Sequence, residues 1–218
     1  MKQFGRPLWT PLVATARGET TIASAVSNLH GKGCGLDSGQ VDQIESLTLI
    51  GLKEERSLEV WAQQQNGQRE LIRTYPFTAY SGTIGPKLRE GDGQIPEGIY
   101  RVEYLNPNSS YHLSIKIDYP NAFDREKGEA DDREQLGFDI FIHGRSVTVG
   151  CIPIGDEAIE DLFTIVSQVG PKNSEVIITP VDFRKRDDRP EIEEIDWEDE
   201  LYETITTALA PFTPPPAE

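Results

Sequence analysis

Two cysteines, three histidines and one methionine among 218 residues leave little material for several kinds of chemistry. Cys34 and Cys151 cannot build a disulfide framework, and joining them would consume the one candidate thiol nucleophile. No pair of thiols and imidazoles has a zinc-ligand spacing such as Cys-x2-Cys, so His30, Cys34, His143 and Cys151 do not read as a metal site. Basic residues are scarce: 21 Lys and Arg stand against 37 Asp and Glu, a formal charge of −16. Phosphate binding needs a basic footprint, so nucleic acid is excluded as a partner. Long apolar runs are lacking as well. None nears the ~20 residues of a membrane-spanning helix, and "PLVATA" (11–16) is too short for the apolar core of an export signal. "GPKLREGDG" lacks the Gly-Lys-Ser/Thr ending of a phosphate loop.

What is present points to many strands joined by turns. Gly (19) and Pro (15) are spread along the chain, and 37% hydrophobic residues suffice for a core. Residues 1–42 read as an N-terminal extension, with one short helix in "TTIASAVSNL" that a Thr or Ser caps and "HGKGCGLDSG" ends. Strands are expected in "SLTLIGL", "RSLEVWAQQ", "RELIRTYPFTAYSG", "IYRVEYL", "YHLSIKIDYP", "FDIFIHG" and "SEVIITPVDF". "KEER" and Asn66-Gly67 supply hairpin turns, and the polar stretch 121–137 reads as an exposed loop. "GDEAIEDLFTIVSQVG" has helical spacing, with Asp156 as its N-cap and Gly170-Pro171 as its stop. A catalytic domain is expected over 43–182 and an acidic C-terminal segment over 183–218.

That last segment carries much of the charge. Ten acids and one base lie between Asp187 and Glu203. A solvated acidic helix is expected there, docked through Trp197, Leu201, Ile205 and Ala208 and peripheral to catalysis.

The chemistry concentrates in "FIHGRSVTVGC" (141–151). A strand delivers His143, a glycine turn delivers Cys151, and a helix begins five residues later. An imidazole can take the thiol proton and a helix N-terminus adds positive potential. Glycine before the thiol lets a substrate carbonyl approach, with the Gly150 and Cys151 amides available to an oxyanion. The inert alternative also stands: a lone buried Cys is usually a small hydrophobe, and a strand His usually bonds to backbone. The neighbouring glycines favour the dyad, since a structural Cys has no need of them. His112, beside Tyr111, reads as a strand histidine.

"IHGRSVTVGCIPIGDEAIEDLF" resembles the active-site signature of the L,D-transpeptidase (YkuD-type) family, in its murein branch with a short His-Gly to Gly-Cys spacing. "YSGTIGPKLREGDGQIPEGIYRV" and "YHLSIKIDYPNAFD" are similar to two upstream family segments, so the resemblance covers about residues 45–182 in order. It implies a mainly β domain of mixed, sandwich-like sheets, with a helix after the cysteine and terminal helices flanking it. It implies acyl transfer on peptidoglycan stem peptides in the periplasm or cell envelope, with no metal or organic cofactor. By the same resemblance Cys151 is the nucleophile and His143 the base, and the Gly144 carbonyl orients the imidazole. The Gly150 and Cys151 amides form the oxyanion hole, and Thr148 fills the family's Ser/Thr position. Val149 and Pro153 stand where many members have His and Arg, which leaves Arg145, Ser146 and Thr148, or Lys87, for contact with substrate. The rival reading is a catalytically silent module that binds cell wall or a partner protein.

Overall fold

The computed structural model describes residues 19–186 and 188–214. "PLVATA" and the end of "TPPPAE" lie outside the described residues. The elements run α1 (Ile22–His30), α2 (Ser38–Val41), β1 (Ile44–Leu52), β2 (Ser57–Gln64), β3 (Arg69–Pro76), β4 (Gly98–Ser109), β5 (His112–Ile117), α3 (Ala122–Ala130), β6 (Phe141–His143), β7 (Ile152–Pro153), α4 (Asp156–Val169), β8 (Ser174–Thr179) and α5 (Glu198–Leu209). A single 3-10 turn, Pro171–Asn173, links α4 to β8.

The strands form one eight-stranded mixed sheet in the order β3-β2-β1-β8-β4-β5-β6-β7. β1 runs parallel to β8 and β6 parallel to β7; the other pairs are antiparallel. β4 joins the two halves. Gly98–Arg101 pair with β8, and beyond Val102 the strand pairs with β5 across two irregularities. The mainly β, mixed-sheet architecture read from the sequence is therefore the observed one.

The central strands are buried on both faces, which explains their near-continuous apolar runs. Along β1, Leu47 and Leu49 face one core while Ile50 and Leu52 face the other. β8 divides the same way, Val176 and Ile178 against Ile177. Two-residue periodicity sorts the side chains. The first core is closed by α1 and α4, through Leu29, Ile159, Leu162, Phe163 and Val166. The second is closed by α5, through Trp197, Leu201, Tyr202, Ile205 and Leu209. Each such side chain removed from water contributes about 1.5–3 kcal/mol, so all three helices are held by burial rather than by helix propensity.

Two local expectations change. The stretch 121–137 is not all loop, because α3 occupies Ala122–Ala130. Its signal was a capping box, in which Asn121 accepts from the Asp124 amide and Asp124 from the Asn121 amide. Composition hid it, since the helix has almost no apolar stripe. Asp156 does not cap α4: Gly155, at φ 85, occupies the cap, and the Asp156 carboxylate is turned to another task. The acidic segment docks through α5, whose Tyr202 hydroxyl donates to buried Glu97 at 2.9 Å.

Candidate active site

β6 ends at His143, and the chain doubles back to run parallel to itself as β7. The register pairs Ile142 with Ile152 and His143 with Pro153. One residue earlier, that register sets Cys151 beside Phe141. Alternate residues share a face, so this register, carried one residue beyond its last pair, puts Cys151 on the His143 side of the sheet. Had they lain on opposite sides, the dyad would be excluded.

The return needs glycine at two places. A Cβ on Gly144 would lie 2.6 Å from an Asp156 carboxylate oxygen and 2.8 Å from the Tyr111 carbonyl. Gly150 sits at φ 99, and a Cβ there would lie 2.9 Å from the Gln94 carbonyl. Neither position accepts a side chain without moving backbone.

His143 is buried, 1% exposed. Its Nδ1 lies 2.5 Å from the Gly144 carbonyl oxygen. A carbonyl can only accept, so Nδ1 carries the hydrogen and Nε2 is left as the basic nitrogen. The Tyr111 ring covers the imidazole, centroids 4.6 Å apart. Burial pulls the His143 pKa below the ordinary imidazole value, against the opposing pull of the Gly144 hydrogen bond. The Cys151 thiol is pushed up, chiefly by burial and also by Asp139, while a backbone hydrogen bond at Phe141 and the charge of Lys87 pull it down. Its Sγ faces the Asp139 carbonyl at 3.8 Å. Both groups are therefore held toward their neutral forms, the pairing that suits proton transfer during attack rather than a resting ion pair.

The remaining sequence candidates fall into distinct roles. Thr148 bonds Cys151 twice: its hydroxyl accepts from the Cys151 amide at 2.9 Å and donates to the Cys151 carbonyl at 2.7 Å. Arg145 is exposed with a left-handed backbone, φ 60. That conformation is fixed by Asp156, which accepts its amide at 2.7 Å, and by Thr78, whose hydroxyl donates to its carbonyl at 2.7 Å. Ser146 is exposed on the same turn. Val149 is 78% exposed beside the thiol. Lys87 is not free to meet a substrate carboxylate, because it is buried and paired with Asp92 at 2.6 Å. His112 bonds Glu160 at 2.8 Å, away from the dyad.

The two amides nominated for an oxyanion hole are both engaged. Cys151 N–H is taken by Thr148, and Gly150 N–H donates to the Ser81 hydroxyl at 2.8 Å. Sequence reasoning missed Ser81. The contact spans 69 positions, and no local pattern encodes it.

Comparison with known proteins bears on the family and the fold. Residues 48–180 match the family model described as the L,D-transpeptidase catalytic domain (YkuD). YafK of Escherichia coli strain K12, itself named only provisionally as an L,D-transpeptidase, is 38% identical over 117 residues, 53% of this chain and 45% of that protein. YafK of strain O157:H7 matches to the same extent. The chain thus spans about half the length of these curated relatives. Among solved structures, the helical cell shape determining protein Pgp2 of Campylobacter jejuni superposes with a TM-score of 0.51 at 16% identity, over 87% of this chain and 77% of that one. Its K307A variant gives 0.52 at 18% identity, over 87% and 61%. At such identities the likeness speaks for the fold alone.

Proposed function

Because this chain belongs to the L,D-transpeptidase catalytic domain family, we propose that it is a cysteine acyltransferase acting on peptidoglycan stem peptides in the cell envelope. Cys151 is the nucleophile and His143 the base. The observation that carries this reading is the fixed tautomer of His143, Nδ1 on the Gly144 carbonyl, on the sheet face that also bears Cys151.

The Cys151 sulfur attacks the carbonyl of the residue preceding a terminal D-amino acid. His143 Nε2 takes the thiol proton as the bond forms, which a neutral imidazole can do and an imidazolium cannot. Collapse of the tetrahedral adduct breaks the peptide C–N bond, and the proton passes from Nε2 to the leaving amine. A thioester remains on Cys151. An amine resolves it as transpeptidation, water as carboxypeptidase or amidase action. Thr148 keeps the Cys151 backbone in place through both steps, and Arg145, on its braced turn, offers a cation for the substrate carboxylate. No step calls for a metal or an organic cofactor.

The test is turnover of purified tetrapeptide muropeptides by wild-type protein and by Cys151→Ala. The expected result is loss of all turnover and of the thioester adduct in mass spectra, with an unchanged far-ultraviolet circular dichroism spectrum. Full activity in Cys151→Ala would end this reading.

A further inference from the structure

Gly150 is buried and its amide has one partner, the Ser81 hydroxyl at 2.8 Å. A hydroxyl that accepts a hydrogen bond still has its own proton to give. The two hydroxyls beside Cys151 differ on this point. Thr148 spends its proton on the Cys151 carbonyl. Ser81, among the described residues, makes no bond as a donor, and its proton is uncommitted.

Ser81 is also held in place. Gly82, next to it, is left-handed at φ 77, and a Cβ there would lie 2.9 Å from both Gln94 Cα and the Gly93 carbonyl. Gln94 grips the turn with its side chain, accepting from the Thr83 amide at 2.6 Å and donating to the Thr83 hydroxyl at 3.1 Å. The Gln94 carbonyl packs against Gly150 on the other side. The backbones of 81–83, 93–94 and 150 are therefore packed together, and Ser81 is a positioned donor rather than a mobile surface hydroxyl.

We propose that the Ser81 hydroxyl is the group that receives the oxyanion, polarised from behind by the Gly150 amide. The proposal rests on the acyl-transfer reading. In the step, Cys151 Sγ bonds to the carbonyl carbon and its proton moves to His143 Nε2. The carbonyl π pair becomes a lone pair on oxygen, which accepts the Ser81 O–H. On collapse that pair re-forms the C=O bond, the C–N bond breaks, and nitrogen takes the proton from His143. Ser81 keeps its own proton throughout. A donor that itself accepts from an amide is strengthened by it, and a donor aimed at developing charge acts mainly in the transition state.

The experiment compares two reactions of the Cys151 thiol. Acylation by 4-nitrophenyl acetate passes through a tetrahedral oxyanion; alkylation by iodoacetamide displaces iodide and forms none. Ser81→Ala is expected to slow acylation by ~10²-fold or more and to leave alkylation within about twofold. Ser81→Thr, which restores a hydroxyl, is expected to recover most of the acylation rate, and melting curves verify that all variants are folded. Acylation of Ser81→Ala within about threefold of wild type overturns the proposal. Equal loss of both reactions overturns it too, since Ser81 would then merely shape the thiol's loop. If muropeptides are not turned over but the ester result holds, the substrate assignment falls and the role of Ser81 stands. If wild-type Cys151 is never acylated, both fall.

Discussion

Replacing Lys53 with methionine removes the cation from a closed cluster that anchors the Ser81 loop. The Lys53 side chain is fully buried, and its Nζ donates to the Gly85 carbonyl at 2.7 Å, the Ile95 carbonyl at 2.9 Å and Glu97 at 2.7 Å. Glu97, equally buried, also accepts from the Gly85 amide at 2.8 Å and the Tyr202 hydroxyl at 2.9 Å. Burial pulls the Lys53 pKa down, while Glu97 beside it pushes the other way and favours the charged form. In Lys53→Met the carboxylate keeps two donors but loses its countercharge, and two buried carbonyls lose their donor. Breaking a buried pair from one side costs about 3–5 kcal/mol. At about 2–4 °C per kcal/mol for a chain of this size, melting should fall by ~6–20 °C. Urea unfolding near neutral pH measures the loss directly. Adding Glu97→Gln should recover most of the stability. A loss below ~1 kcal/mol, the scale of an exposed pair, or a full loss that Glu97→Gln leaves untouched, would refute the reasoning.

Two further outcomes concern pH. Burial lowers His143 and raises Cys151, so the competent neutral pair spans a wide plateau: the acid limb of kcat/KM should lie below the ordinary imidazole value of about 6.5 and the alkaline limb above the ordinary thiol value of about 8.5. Iodoacetamide alkylation that is already fast and pH-independent in acid would reveal a thiolate–imidazolium pair instead. Asp124 is pushed up to about 6, first by burial. The folded state therefore holds this proton more tightly than the unfolded chain, and stability falls as pH rises from about 4 through about 6. Asp124→Asn keeps an acceptor for the Asn121 amide, and it should stabilise by ~1–3 kcal/mol near neutral pH and hardly at all near pH 4; equal effects at both pH values in thermal melts would contradict the burial argument.

The strands and α4 were legible because burial imposes a period on the chain. Along β2, Leu58, Val60 and Ala62 face one core with Trp61 turned to the other, and the apolar residues of α4 recur at helical spacing. α3 was not, because it lies on the surface with little to bury and is fixed by a cap that a polar composition disguises. The same division runs through the site. His143, Cys151 and their glycines are close in sequence, and the tight return between them leaves a readable mark. The charge of the C-terminal segment was equally plain, but not that Tyr202 would reach Glu97.

Sequence alone determined which groups are scarce, where thiol and imidazole are brought together, and which family signature surrounds them. Tertiary structure decided which of the neighbouring groups are free. It committed Lys87 to Asp92, gave Asp156 to the Arg145 amide rather than to its own helix, and filled both nominated amides with hydroxyls. Hydrogen-bond capacity is settled by whichever partner arrives in space, and Ser81 and Gly150 are 69 positions apart in the chain, with β4, β5 and β6 between them. Local sequence specifies a group's chemistry; only the closed fold specifies whether that group is already satisfied.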